Sequence, residues 1–214
     1  MRVQSRGKQQ GFSLIELLVV VAVIAILSGI AIISTISSTQ QARANAAMDA
    51  VVTQFRQARQ LAISMRRNVA INFTAPNKIQ IVVGTLPGEP AATAIAPVFL
   101  NDNAAGGSIF YVYPSVPDTP MAFGNSAAIQ ITSATGGAAP ANMIFNSSGM
   151  LVGTNKDTTV PTNFATEGSN FPINVSIFTG TSIANQQATA RGITVLGSTG
   201  RVRAYIYSGS VWHE

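Results

Sequence analysis

The chain has 214 residues, of which thirteen are basic and eight acidic, with one histidine and no cysteine. The lack of thiols excludes thiolate catalysis and cysteine metal sites, and leaves the fold without disulfides. The net charge is +5, but three of the basic residues precede residue 12. Residues 12–214 contain ten basic and eight acidic residues, a net charge of +2. The charge of the chain therefore does not indicate a nucleic-acid binder.

The N-terminus combines a basic arm with a long apolar run. Arg2, Arg6 and Lys8 precede the run, which covers Phe12–Ile33 and carries one formal charge, that of Glu16. About 20 apolar residues suffice for a helix to cross a bilayer, and an ionisable group within such a helix is costly and usually functional. We therefore expect a membrane-spanning helix over residues 12–34, in which the Glu16 carboxylate has a partner.

Small residues near the run indicate how the N-terminus is processed. A secretory signal is cleaved after its apolar stretch, where only Ser28-Gly29 offers a weak site. Cleavage after Gly11 would instead remove residues 1–11 and leave the apolar helix on the mature chain. Basic residues before the span predict that the arm stays cytoplasmic and the rest crosses the membrane. Charge and hydropathy alone fit a simple signal anchor equally well.

The segment Gly11-Phe12-Ser13-Leu14-Ile15-Glu16-Leu17 resembles the class III signal of type IV prepilins and type II secretion pseudopilins. The resemblance implies that a prepilin peptidase cleaves between Gly11 and Phe12 and that the new Phe12 amine is methylated. It also implies that Glu16 pairs with this amine of a neighbouring subunit during filament assembly. Electrostatics agrees, because a buried charge needs a partner.

The helical pattern continues beyond the apolar run. Gln41–Arg67 contains neither Pro nor Gly and is rich in good helix formers. Apolar residues recur there at spacings of three and four, which predicts one buried stripe; these are Ala44, Ala47, Met48, Val51, Val52, Phe55, Ala58, Ala62 and Met65. We expect residues 35–67 to form the amphipathic half of one helix that starts at Phe12, with some fraying around Ser34–Thr39.

Residues 68–214 change to alternating patterns rich in β-formers. Val69–Phe73 and Lys78–Val83, separated by Ala75-Pro76-Asn77, predict a hairpin. Further predicted strands are Val98–Leu100, Ile109–Tyr113, Ala128–Thr132, Met143–Asn146, Phe171–Thr179, Gly192–Leu196 and Val202–Tyr207. The Gly84–Ala96, Asn101–Ser108, Ser133–Ala141 and Gly153–Asn170 segments are predicted loops. Strands that follow one long helix indicate an α+β fold with an antiparallel sheet against that helix.

Two segments of this region resemble GspH/FimT-type minor pilins and pseudopilins, Met143–Gly149 and Ile193–Arg203. The resemblance implies a pilin fold, a β-sandwich-like domain after a spanning helix. It implies a structural subunit of a type IV pilus or type II secretion pseudopilus, near the filament tip. Its partners would be other pilin or pseudopilin subunits and a prepilin peptidase/methyltransferase. It would be a single-pass inner-membrane protein whose domain of residues 68–214 lies in the periplasm or outside the cell.

Gly200-Arg201-Val202-Arg203 is the one constellation with candidate chemistry. Side chains two residues apart share a face of a strand, and planar guanidinium groups suit bidentate contact with phosphate. Tyr205 and Tyr207 have the same parity as the two arginines and would offer stacking surfaces for single-stranded bases.

Members similar to the FimT branch use this motif to bind DNA during natural transformation, and Arg191 would add charge nearby. The chain could therefore be a DNA-binding minor pilin. The alternative is structural: Arg201 and Arg203 bond carbonyls or acids within the filament, and Gly200 makes a turn. The residues leave both interpretations open, and a membrane-anchored binding domain unrelated to filaments is the third hypothesis.

No enzyme is indicated. His213 is the penultimate residue, where chains usually fray. The carboxylates of the predicted loops stand singly, without the pairing that acid–base catalysis would suggest; they are Asp102, Asp118, Asp157 and Glu167. Nucleotide-binding and hydrolase motifs do not occur. We therefore expect no catalytic residue, no cofactor and no metal.

Overall fold

The computed structural model describes residues 12–84, 93–100, 107–133, 143–153, 171–181 and 187–214, without the side chains of residues 30–37. The predicted leader, residues 1–11, lies outside this part of the chain, as do Asp102, Asp157 and Glu167. The chain divides into two compact units, Met1–Thr39 and Gln40–Glu214.

Helix α1 extends over Leu14–Met65, two residues shorter at each end than predicted. Its backbone is helical through residues 34–39, where we expected fraying. At its C-terminus Arg66 adopts a left-handed φ of 53°, and the N–H of Arg67 donates to the carbonyl oxygen of Ala62 at 3.1 Å. This bond over five residues is typical of a Schellman ending, in which glycine more often takes the left-handed position.

In the first unit, the apolar side chains between Phe12 and Leu27 are exposed on every side of the helix. Among the described residues, no helical stretch has the length and hydropathy that a membrane crossing needs. The span predicted over residues 12–34 includes residues 30–34, whose side chains lie outside the description. That prediction stays untested.

The second unit contains the hydrophobic core. The predicted stripe of α1 is buried from Ala44 to Ala62, and Phe55 packs edge-on against Phe145 with ring centroids 6.2 Å apart. Met65, predicted to belong to the stripe, is 45% exposed because it is the last residue of the helix. The remaining core side chains come from the strands and from Leu100, directly after β4, and the buried stripe of α1 packs against them.

The described residues of the second unit contain twelve strands and a short 3-10 turn at Gln187–Thr189. The strands are β1 (Val69–Thr74), β2 (Lys78–Val83), β3 (Thr93–Ala94), β4 (Val98–Phe99), β5 (Ser108–Phe110), β6 (Ile129–Ser133), β7 (Met143–Phe145), β8 (Leu151–Gly153), β9 (Phe171–Thr181), β10 (Arg191–Leu196), β11 (Arg201–Tyr207) and β12 (Trp212–His213). Their pairings are antiparallel, which confirms the predicted α+β fold of a long helix on an antiparallel sheet.

Strand β9 joins the two halves of the sheet. One half runs in the order β3-β2-β1-β7-β8 and the other in the order β12-β11-β10-β9. The first residues of β9, Phe171 and Pro172, pair with β8. Further along, Val175 and Ile177 pair with β10 on one side and with β6 on the other. The last residues pair with β5.

Each strand predicted from the sequence is present, with ends shifted by at most a few residues. The β1–β2 hairpin has the expected turn, with Thr74 opposite Lys78. The short strands β3, β8 and β12 were missed, and β3 lies within the predicted loop Gly84–Ala96. The prediction that His213 frays is wrong, since it pairs with Ile206 across β11 and β12.

Candidate functional site

The N-terminal segment presents Phe12 and Glu16 to the surroundings. Phe12 is 85% exposed and precedes the helix, whereas Glu16 lies in its first turn. An acid in this turn interacts favourably with the helix dipole. The described part of this unit, residues 12–39, contains no basic residue that could pair with the Glu16 carboxylate. Gly11, the predicted cleavage residue, lies outside the described residues.

The apolar residues around Glu16 are not covered by the rest of the unit to which they belong. Each large one is at least half exposed; they are Leu14, Ile15, Leu17, Leu18, Val19, Val20, Val21, Val23, Ile24, Ile26 and Leu27. A helix that is apolar on all sides is normally buried, in a large core or in a membrane. The described residues of its own unit give these side chains no such cover.

The second candidate region is the turn between β10 and β11, residues 197–200. Gly200 has a left-handed φ of 64°, and its N–H donates to the carbonyl oxygen of Leu196 at 2.8 Å. A Cβ at this position would overlap the carbonyl oxygen of Gly149 and lie 2.9 Å from Nε of Arg59. The same Nε donates to the Gly149 carbonyl at 3.1 Å. The segments Met143–Gly149 and Ile193–Arg203, which carry the family resemblance, therefore meet at their glycines, and Arg59 of α1 contacts both.

Arg201 and Arg203 share a face of β11, as predicted, and both line a small recess beside Met121. Their environments differ. Arg203 Nη1 forms a salt bridge with Oε2 of Glu214 at 3.3 Å. Arg201 is exposed; its backbone pairs with Leu196 and its N–H donates to Thr199 Oγ1 at 3.2 Å, whereas its guanidinium group has no bond within the described residues. Of the two guanidinium groups, that of Arg201 is the one available to a ligand.

Arg191 has an internal role, so its prediction as a DNA contact is wrong. It is only 2% exposed. Its Nε donates to Asn45 Oδ1 at 2.7 Å, and Nη1 donates to the carbonyl oxygens of Ala188 and Ala190 at 3.0 and 2.9 Å. Desolvation by burial lowers the pKa of Arg191. The guanidinium ties β10 to α1 and cannot reach a ligand.

Tyr205 and Tyr207 cannot stack on bases, so that interpretation is wrong too. Both share the parity of Arg201, but they are 2% and 5% exposed. The Tyr207 ring packs against that of Trp212 at 5.1 Å and clusters with Tyr113 and Val116. The segment after β5 thus covers the face of β11 on which the tyrosines lie, and leaves only the arginine end open.

A basic groove that was not predicted from the sequence lies between α1 and the 197–200 turn. Arg56, Arg59 and Gln60, on one side of α1, face Arg201 and the 197–200 turn across a groove of about 490 Å³. Spacings of three and four residues place the α1 side chains on one helix face, and this pattern is visible in the sequence. Their approach to a turn some 140 residues further on is not.

Asp118 and His213, the candidate acid–base residues that the structure describes, have structural contacts. Both Asp118 carboxylate oxygens accept backbone N–H groups at 2.7 Å, from Thr119 and Gly124. His213 Nε2 lies 3.2 Å from Ser208 Oγ. Within the described ranges, no group of three or more His, Asp or Glu side chains could hold a metal ion.

Comparison with known proteins gives one match to a family model. Residues 6–32 match the prokaryotic N-terminal methylation motif. No curated protein matches the chain. Among solved structures, the minor pseudopilin EpsH from the Type 2 Secretion System of Vibrio cholerae aligns with 10% sequence identity over 77% of this chain and 97% of that one, with a TM-score of 0.41. A score this low carries no argument about fold or function. The methylation motif confirms the resemblance seen at Gly11–Leu17.

Proposed function

We propose that the chain is a structural subunit of a type IV pilus or a type II secretion pseudopilus. The observation that carries this proposal is the methylation motif over residues 6–32, followed by a helix whose apolar side chains are exposed on all sides. In this proposal the protein is not an enzyme. The resemblance to minor subunits adds a position near the filament tip.

Two environments would cover the helix in succession. Before assembly, the apolar segment of residues 12–34 would cross the inner membrane once, with the domain of residues 68–214 outside the cytoplasm. After assembly, the same side chains would pack against neighbouring subunits. Burying one Leu, Ile or Val side chain contributes roughly 1.5–3 kcal/mol relative to water, so a dozen such side chains favour either environment over exposure to water. The Glu16 carboxylate would then pair with the Phe12 amine of a neighbour.

Processing tests the proposal most directly. In cells with an active prepilin peptidase, intact mass and N-terminal sequencing should show an N-methylated Phe12 as the first residue. Gly11→Val should leave the precursor uncleaved, whereas Gly7→Val, which alters the other glycine of the leader, should not. A retained Met1 in the wild-type protein would refute the proposal, as would cleavage after Ser28.

The alternative function, a DNA receptor, has less support from the structure. Of its candidate residues, Arg191 is buried, Arg203 is bonded to Glu214 and Gly200 makes a turn. Arg201 is the exposed cation that favours it. DNA binding by Arg201 and Arg203 stays a prediction, which DNA titration across salt concentrations can test.

A further inference from the structure

The geometry points to a carboxylate-binding site in the basic groove between α1 and the 197–200 turn, whose occupant is an acidic segment of a partner protein. The groove is lined by Arg56, Arg59 and Arg201, with Gln60 and Thr199 as neutral polar neighbours. Its volume of about 490 Å³ falls in the range of about 300–1,000 Å³ that is typical of ligand sites. The site lies within the unit Gln40–Glu214 and does not depend on filament assembly.

Two of the three arginines that line the groove have guanidinium groups that are unbonded among the described residues. Arg56 and Arg201 are exposed, and neither guanidinium has a bond within the described structure. Arg59 uses Nε for the Gly149 carbonyl, which orients its guanidinium and leaves both Nη atoms. Arginine presents planar pairs of N–H donors that match the two oxygens of a carboxylate. Two free cations and one fixed cation thus converge on one groove.

The groove itself carries positive charge without a compensating acid among the described residues. Over Gln40–Glu214 the sequence has ten basic and seven acidic residues, a net charge of +3. Of the described acids, Asp118 is held by backbone N–H groups, and Glu214 by Arg203. A partner of opposite charge is therefore favoured by the field of this surface.

The groove lacks the features of a nucleic-acid site. Proteins that bind single strands combine a basic track with exposed aromatic platforms. No aromatic side chain of the described residues lines this groove, and the tyrosines nearest in sequence to Arg203 are buried. Arg191 is buried and Arg203 is paired, so neither extends the track along β11. Three clustered guanidinium groups fit one or two carboxylates better than a run of phosphates.

The experiment measures binding of a fluorescent hexaglutamate peptide to the full chain in non-ionic detergent at low salt. Arg56→Gln and Arg201→Gln should each weaken binding roughly three- to tenfold, as expected for a charge-assisted contact that is partly screened by water. Lys78→Gln removes the same charge outside the groove and should change affinity less than twofold. Both groove side chains are exposed, so these variants should unfold at the wild-type urea concentration.

Four outcomes would overturn the proposal. The wild-type chain could fail to bind hexaglutamate at low salt. Lys78→Gln could weaken binding as much as the groove variants, which would mean diffuse attraction. A labelled twelve-nucleotide oligothymidine could bind more tightly than the peptide and depend on the same arginines, which would make the groove a nucleic-acid surface. A labelled hexalysine peptide should not bind, and its binding would also count against the site.

Discussion

The contact between Gly149 and Gly200 explains why two distant segments carry glycine. Gly200 needs a left-handed φ for the turn, and it also needs an empty Cβ position because the Gly149 carbonyl and Arg59 occupy that space. A side chain there would therefore meet two separate penalties. In the segment Gly200-Arg201-Val202-Arg203, the fold therefore requires the glycine independently of any ligand that Arg201 binds.

Gly200→Ala should destabilise the fold by about 2–5 kcal/mol, from a strained φ of roughly 1–2 kcal/mol and overpacking of roughly 1–3 kcal/mol. Gly209→Ala is the matched control, because Gly209 has a φ of 95° and open space around its Cβ position; it should pay the φ cost alone. Urea unfolding of the full chain in detergent measures both. Equal losses would show that the contact with Gly149 contributes nothing.

Arg191→Ala should cost about 2–4 kcal/mol in the free energy of unfolding, because it removes a buried side chain that donates to Asn45 Oδ1 and to the carbonyl oxygens of Ala188 and Ala190. Arg203→Ala makes the same substitution at the partly exposed salt bridge to Glu214, where a loss of about 0–1 kcal/mol is expected. The same urea titration compares the two variants. A loss at Arg203 as large as that at Arg191 would contradict the buried role of Arg191.

At the scale of elements, α1 serves two environments. Its second half packs a narrow apolar stripe on the sheet, whereas its first half is apolar all round and has no cover within its own unit. The acid Glu16 lies in the half that the domain core does not use. Function in assembly and stability of the domain should therefore separate between the two halves of one helix.

Glu16→Ala should reduce the amount of the subunit in purified filaments several-fold while the urea unfolding of Gln40–Glu214 stays unchanged. Glu16→Gln should behave alike if the charge is what matters. Asp49→Asn, which removes an exposed acid from the second half of α1, should assemble normally. Wild-type amounts of both Glu16 variants in filaments would refute the pairing role.

Elements with a clear period were predictable and elements without one were not. Alternation at Val69–Phe73 and Lys78–Val83 predicted the hairpin, and the stripe in α1 predicted its buried face. Leu151–Gly153 is too short to show alternation. Arg191 was misjudged because its acceptor, Asn45, is 146 residues away, and nothing local shows that a charged residue on β10 has an internal partner. The groove was not predicted either, because its arginines on α1 and its turn at residues 197–200 are far apart in the sequence.

At the scale of the whole molecule, charge is unevenly available. Of the nine basic side chains that the structure describes in the domain, Arg56, Arg66 and Arg201 are exposed. Near β11, the burial of Arg191 and the salt bridge to Glu214 reduce the free cations to Arg201 and its neighbours across the groove. A binding surface for a long polyanion would need a wider track. The charge distribution therefore favours a compact acidic partner over an extended one.

If the chain is instead a DNA receptor, affinity should fall with salt and show little sequence preference. Arg201→Gln should then flatten the log–log salt slope by roughly 0.7–0.9, the share of one phosphate contact. Arg203→Gln should flatten it less, because the bond to Glu214 must break first. DNA titration of the full chain across salt concentrations measures this, with Lys78→Gln as control. Equal effects of Arg201 and Lys78 would exclude specific contacts by the motif.

Strand β9 has a consequence for how the domain comes apart. It pairs with β8 at one end, with β10 and β6 in the middle and with β5 at the other end, so neither half of the sheet can separate without breaking its ladder. The two halves should open together as a single cooperative unit. Amide protons of Val175 and Ile177 should accordingly exchange with deuterium only when the whole domain opens, and their protection would report its global stability.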